Sequence, residues 1–204
     1  MVAIIDYGAG NLQSVKKALD FIGAENVITG DKNEIDAASH IILPGVGSFE
    51  DAMNCIREHD LENTIKKAAD GSKHFLGICL GLQLLFSSSE ESPGVKGLGI
   101  FDGEIVTIPR DNGLKVPHIG WNSLEIKKQT PIFENVKNGE YVYFVHSYYA
   151  ADCESSVTAV SDYGAPLTAS VQAGNIFGCQ FHPEKSGETG LKILRSFVAL
   201  GEEK

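Results

Sequence analysis

Gly77-Ile78-Cys79-Leu80-Gly81-Leu82-Gln83-Leu84-Leu85-Phe86 reads as the end of a strand, a sharp turn with cysteine at its tip, then an apolar helix. Its Gly-x-Cys-x-Gly core has the layout of a Gly-x-Ser-x-Gly nucleophile elbow, a strained strand-to-helix turn that lifts the nucleophile above a sheet. Small neighbours suit such a turn, because it brings flanking backbone close together. A cysteine at the first turn of a helix also gains thiolate character from the macrodipole. Further along, Gln180-Phe181-His182-Pro183-Glu184 carries an imidazole and a carboxylate two residues apart. In an extended stretch that spacing puts both on one side of the chain. Cys79, His182 and Glu184 together spell a Cys-His-Glu triad.

Outward from the elbow, the first half alternates strands with helical stretches, which implies a parallel sheet covered on both faces. Residues 2–6, 26–28, 40–43 and 75–78 are short, largely apolar runs suited to buried strands. Asn11 can cap a helix carrying Val15, Ala18, Leu19 and Ile22 on one face, stopped by Gly23. Residues 49–59 and 61–69 read as helical. After Glu90 the texture changes: glycine-rich turns separate runs at 103–108, 124–126, 141–146, 157–161, 167–172 and 176–182. Many alternate or are β-branched, so an antiparallel section attached to the parallel core is expected. Residues 186–200 close the chain as an amphipathic helix. There is no internal repeat, linker or low-complexity tract, and the reading is one α/β domain over residues 1–204.

The chain has 204 residues, 43% hydrophobic and 22% charged, which suits one soluble domain with a substantial core. Its net charge of −10 argues against wrapping nucleic acid, which needs a basic face. No apolar run approaches the roughly 20 residues of a membrane span. Met1-Val2-Ala3-Ile4-Ile5-Asp6 lacks the basic start of a signal peptide and reads as a first strand. Cys55, Cys79, Cys153 and Cys179 show no C-x-x-C spacing and no zinc-like companions. Four reduced thiols in a cytosolic protein is the expectation.

Of these four, Cys55 sits mid-helix among Met53 and Ile56, and Cys153 lies in a polar loop without an activating neighbour. Cys179 should share a face with Phe181, opposite Gln180 and His182, and packs in the core. Cys79 alone combines turn geometry with a helix start. Among the histidines, His40, His59 and His74 occupy strand or helix edges, while His118 and His146 flank glycine- or aromatic-rich loops and could line a site or meet a partner. His182 alone has an adjacent acid to accept its ring N–H and fix its tautomer. For an oxyanion, the N–H of Leu80 is one donor by the elbow logic. The other should come from Pro44-Gly45-Val46-Gly47 at a strand's C-terminal end, where two glycines let the Val46 peptide turn its N–H inward. Gly8-Ala9-Gly10 lacks the full G-x-G-x-x-G, so nucleotide binding is weakly supported.

Gly77–Gln83 and Gln180–Glu184 resemble the catalytic segments of class I (triad-type) glutamine amidotransferases. Ile5-Asp6-Tyr7-Gly8-Ala9-Gly10-Asn11-Leu12, Pro44–Phe49, Pro117-His118-Ile119-Gly120-Trp121-Asn122, Val145–Tyr149 and His182–Ser186 resemble, in order, the glutaminase subunits of imidazole glycerol phosphate synthases. Gly187-Glu188 departs from that pattern outside the catalytic positions. The resemblance implies a flavodoxin-like class I amidotransferase fold, no metal or organic cofactor, and glutamine as substrate. It also implies that Gly47, Gln83, Ser147 and Tyr148 grip glutamine's backbone atoms. A (β/α)8-barrel cyclase would be the partner, docked near Asp6–Asn11, Trp121 and Lys185. Because the Val46 peptide can face either way, the isolated chain should be a poor glutaminase until that partner sets it. A glutaminase of pyridoxal phosphate synthesis shares the triad but should lack D-Y-G-x-G-N. A cysteine hydrolase or protease leaves Gln83 without a role, and a flavodoxin-like binding module explains only the βαβ pattern.

Overall fold

The computed structural model describes residues 1–110 and 113–201, so the ends of the expected 1–204 domain are described to residue 201. In chain order its strands are β1 (Val2–Ile5), β2 (Asn26–Thr29), β3 (His40–Gly45), β4 (His74–Cys79), β5 (Glu104–Thr107) and β6 (His118–Ser123). They continue as β7 (Glu125–Ile126), β8 (Tyr141–His146), β9 (Tyr148–Ala151), β10 (Val157–Asp162), β11 (Pro166–Ala173) and β12 (Ile176–Cys179). The helices are α1 (Leu12–Phe21), α2 (Lys32–Ala37), α3 (Phe49–Glu58), α4 (Glu62–Ala68), α5 (Leu80–Gln83) and α6 (Gly187–Val198). One sheet runs in the order β2-β1-β3-β4-β12-β11-β10-β7, parallel as far as β12 and antiparallel beyond it. Two antiparallel ribbons, β5–β9 and β6–β8, complete the described strands.

The apolar strands are buried on both faces because each face meets its own helices. Along β1, Ala3 and Ile5 join a core with Phe49, Met53 and Ile56 of α3 and Ile65 of α4. Val2 and Ile4 point the other way, to Val15 and Leu19 of α1 and to Ile193, Leu194 and Phe197 of α6. Period-2 alternation in an all-apolar strand thus feeds two hydrophobic layers at once.

The apolar run after the elbow is not a long helix. Only Leu80–Gln83 is α-helical, and Leu85 and Phe86 bond back three residues to Leu82 and Gln83. The carbonyls of Leu84, Leu85 and Phe86 accept instead from Leu98, Ile100 and Gly99, so they have no turn of helix to bond. Asn11 precedes α1 but makes no side-chain cap, whereas Gly23 does end that helix at φ +76°. Helix α2 has no counterpart among the expected elements; it buries one apolar residue, Ile35, and is capped by Asp31 through the N–H groups of Asn33 and Glu34. Strands β6 and β9 likewise have none. The 176–182 run leaves the sheet at Cys179, where Gln180 N–H still reaches Ala169 and His182 N–H turns to the Tyr143 carbonyl of β8.

The elbow itself is packed backbone against backbone. A Cβ on Gly81 would lie 1.8 Å from the Leu43 carbonyl oxygen of β3, and one on Gly45 2.8 Å from the Gly81 nitrogen. No side chain can give way there. Gly81→Ala should therefore cost more than about 4 kcal/mol and prevent the folded chain from accumulating. Gly174→Ala, with open space around it and φ +56°, should cost only about 1–2 kcal/mol. Denaturant unfolding of both variants measures the contrast; equal, small losses would contradict the packing.

Candidate active site

Cys79 ends β4 with φ +54° and ψ −110°, a backbone conformation that side chains rarely adopt. Holding a non-glycine residue there costs about 1–3 kcal/mol, which the surrounding packing must offset. β3 flanks it on one side, where Gly45 pairs with Cys79 and the chain continues into Val46 and Gly47. β12 flanks it on the other, with Cys179 paired to Ile78 and the chain running on to His182. Three neighbouring strands therefore deliver the Val46–Gly47 loop, the thiol and the imidazole at their C-terminal ends, the general position of ligands in open α/β sheets.

His182 is held from both sides. Its N–H donates to the Tyr143 carbonyl at 2.9 Å, and its carbonyl accepts from Ser186 Oγ at 2.6 Å. Its ring Nδ1 donates to Glu184 Oε1 at 2.8 Å, with both side chains buried. That contact forms across a 3-10 turn, Pro183–Lys185, rather than along extended chain. Helix α6 closes over the turn, since a Cβ on Gly190 would lie 1.9 Å from the Pro183 carbonyl oxygen. Burial pulls the His182 pKa down, but hydrogen bonds to the Cys79 thiol and Glu184 override it and raise it to about 9. Cys153 and Cys179 move away from reactivity: burial pushes Cys153 up to about 11 and Cys179 higher still.

A cleft of about 350 Å³ opens over the thiol, at the small end of ligand sites. Val46, Gly47, Cys79, Leu80, Gln83, Ser147, Tyr148 and His182 line it, so the sequence-assigned residues gather there, with Glu184 behind the imidazole. Gly47 has φ +101°, and Val46 is 43% exposed. The loop is anchored at its base by the buried Tyr7, whose hydroxyl donates to the Pro44 carbonyl at 3.0 Å.

Glu91, which belongs to no motif, and Pro117, which has no assigned site role, also line the cleft. Glu91 Oε2 accepts the Phe49 N–H at 2.8 Å, the start of α3. Its presence follows only from the fold of 87–101, which carries no motif. Of the two histidines left open, His146 lines the cleft and His118 stands behind it. His146 Nδ1 donates to the Tyr148 carbonyl at 2.9 Å, so its Nε2 accepts from His118 Nδ1 at 3.1 Å. His118 is stacked between Phe144 and Tyr163. Burial lowers both histidines to about 4, neutral beside a charged His182.

This arrangement suits nucleophilic acyl transfer: a thiol on a strained turn and an oriented imidazole in one cleft. Among the described residues no group of three or more His, Cys, Asp or Glu could hold a metal ion. The family described as "Glutamine amidotransferase class-I" matches residues 3–200. The chain is 52% identical, over 97% of its length and 97% of the relative's, to "Imidazole glycerol phosphate synthase subunit HisH" of Caldanaerobacter subterraneus subsp. tengcongensis. It is 49% identical to the protein of that name from Bacillus cereus, over 99% of this chain and 96% of that one. Among solved structures, a glutamine amidotransferase superposes with a TM-score of 0.75 at 20% identity, covering 97% of both chains. PurLQS of Thermotoga maritima superposes with a TM-score of 0.74 at 24% identity, covering 97% of this chain and 96% of that one. These two likenesses speak for the fold.

The histidines set the acid limit of stability. Burial lowers His40, His118 and His146 to about 4, below the ordinary value near 6.5, so the unfolded chain binds protons first. Their contribution is present above about 6.5 and is lost as pH falls towards 4. His182 runs oppositely: its contribution is full below about 6.5 and is lost as pH rises through about 9. The melting temperature should therefore fall on both sides of neutrality, and His182 resonances should titrate near 9 and move down in Cys79→Ala. Calorimetry and ring-proton NMR measure this; a melting temperature flat from pH 7 to about 4.5 contradicts it.

Proposed function

The chain belongs to the class I glutamine amidotransferases, and from that membership and its relatives we infer that it is the glutaminase subunit of an imidazole glycerol phosphate synthase. It hydrolyses L-glutamine to glutamate and ammonia for histidine biosynthesis. The observation that carries the reading is Cys79, bent to φ +54°, sharing one cleft with an imidazole held by Glu184.

In the proposed mechanism the Cys79 thiol passes its proton to His182 and attacks the side-chain carboxamide carbon of glutamine as the thiolate. The tetrahedral oxyanion is met by the N–H groups of Leu80 and Val46, a type of donor whose loss typically costs about 10²–10³ in turnover. His182, protonated at neutral pH, delivers its proton to the departing ammonia. The neutral ring then takes a proton from water as it attacks the γ-glutamyl thioester, and Glu184 keeps the ring in register throughout. Gly47, Gln83, Ser147 and Tyr148 are assigned to glutamine's α-carboxylate and α-ammonium. The Glu91 carboxylate, in the same cleft, suits the ammonium.

Ammonia freed into neutral water is protonated and no longer nucleophilic, so the acceptor site must be a coupled one. The relatives are named as subunits of a synthase, which supports an acceptor site on a partner subunit. The partner is a (β/α)8-barrel cyclase, which joins the ammonia to its ribonucleotide substrate to give imidazole glycerol phosphate and an aminoimidazole carboxamide ribotide. Trp121, 54% exposed on β6, and the exposed Lys185 are free to take part in docking, and with the 6–11 loop they are the surfaces assigned to the partner. No described helix is long and apolar enough to cross a membrane, and a cytoplasmic complex is proposed. An exposed Val46 between two glycines supports a switched oxyanion hole, formed only when the partner sets that peptide.

One experiment tests the reading: glutamine hydrolysis and ammonium-driven synthesis, measured for the free chain and with the co-purified cyclase. Wild type should hydrolyse glutamine about 10²-fold or more faster in the complex. Cys79→Ala should abolish glutamine-dependent synthesis yet keep synthesis from ammonium salts. His182→Ala should be nearly as damaging, and Glu184→Ala less so, because an orienting acid matters less than nucleophile or base. Equal loss with both nitrogen sources would remove Cys79 from its role, and equal rates with and without the cyclase would mean the hole is preformed.

A further inference from the structure

We propose that Gln180 is a further catalytic residue, whose side-chain amide donates a hydrogen bond to Cys79 Sγ and holds the sulfur in its nucleophilic form. The inference rests on Cys79 being the nucleophile. It begins at a backbone carbonyl, that of Tyr148, which can only accept. Gln83 Nε2 donates to it at 3.1 Å, which fixes the direction of the Gln83 amide. The second Gln83 N–H then points to Gln180 Oε1, also at 3.1 Å. Gln180 therefore turns its oxygen to Gln83 and its nitrogen the other way, where Nε2 lies 3.8 Å from Cys79 Sγ. Each link has one possible direction, and the last one delivers a donor to sulfur.

The chemistry follows from that direction. A donor favours the charged sulfur, while the Val145 carbonyl, 4.0 Å from Sγ, can only accept from the neutral thiol. Gln180 is fully buried, so its bond to sulfur has no water competing for it. Gln180 lies two residues before His182 and its N–H donates to the Ala169 carbonyl, so imidazole and amide approach the sulfur from one segment. The same relay uses both hydrogens of the Gln83 amide and leaves its Oε1 as the acceptor offered to the cleft. An ammonium is what such an acceptor receives. Gln180 thus ties the state of the nucleophile to the orientation of a substrate-gripping side chain.

The alkylation arm of the test uses the full chain without glutamine or partner. Iodoacetamide alkylation of the Cys79 peptide is followed by mass spectrometry from pH 5 to 10 in wild type, Gln180→Met and Gln180→Glu. The pH of half-maximal alkylation should rise by about one unit in Gln180→Met, and further in Gln180→Glu, whose carboxylate repels a charged sulfur. The KM for glutamine should rise in both, as Gln83 becomes free to turn. Gln180→Glu keeps the shape of the side chain and carries the test alone if Gln180→Met does not fold. Half-maximal pH values within about 0.3 unit of wild type overturn the proposal, even if turnover falls, since Gln180 would then only pack. That outcome leaves Cys79 in its role, whereas a Cys79→Ala chain that still hydrolyses glutamine removes the reading beneath it.

Discussion

The Leu43 carbonyl of β3 occupies the space where a side chain on residue 81 would stand, and the active site is built on that contact. It forces a backbone-to-backbone approach that pulls the first turn of α5 onto the strand beside it. The turn preceding that helix has one residue to absorb the change in direction, and that residue is Cys79 at φ +54°. Strain of this kind persists where neighbours over-determine it. Here the glycines at 45, 77 and 81 allow the approach, and the fully buried Leu82, Leu84, Leu85 and Phe86 hold it closed.

From that fixed point the sheet supplies the rest by adjacency. β3 and β12 pair directly with β4, so the loop ending in Gly47 and the segment reaching His182 arrive on either side of the thiol. Environment then separates like residues by charge. His182 has a carboxylate and a thiol for partners and rises to about 9, whereas His118 and His146 have burial and each other, and fall to about 4. One imidazole is a proton donor at neutral pH, and two are neutral relays that orient the wall of the cleft.

What the sequence disclosed was local. The elbow depends on residues within five positions and His182–Glu184 on residues two apart, so spacing alone exposed them. The parallel half was legible because its strands are continuous apolar runs. Helix α2 was not, since it buries a single isoleucine, and neither was β6, whose His-Ile-Gly-Trp-Asn-Ser shows no clean alternation. The length of the helix after Cys79 was misread because the carbonyls of 84–86 are claimed by residues 98–101, a long-range choice that no window of 77–86 contains. Glu91, Tyr7 and the amide relay of Gln83 and Gln180 are likewise tertiary facts: each pairs groups 37 to 97 residues apart.

The central claim is that the strained Cys79 becomes covalently acylated by glutamine. Its most direct test is rapid acid quench of the wild-type complex during turnover, followed by peptide mass spectrometry. The account predicts one γ-glutamyl group on the peptide containing Cys79 and none on those containing Cys55, Cys153 or Cys179. Glutamate formation with no adduct on Cys79, or with the adduct on another cysteine, would contradict it.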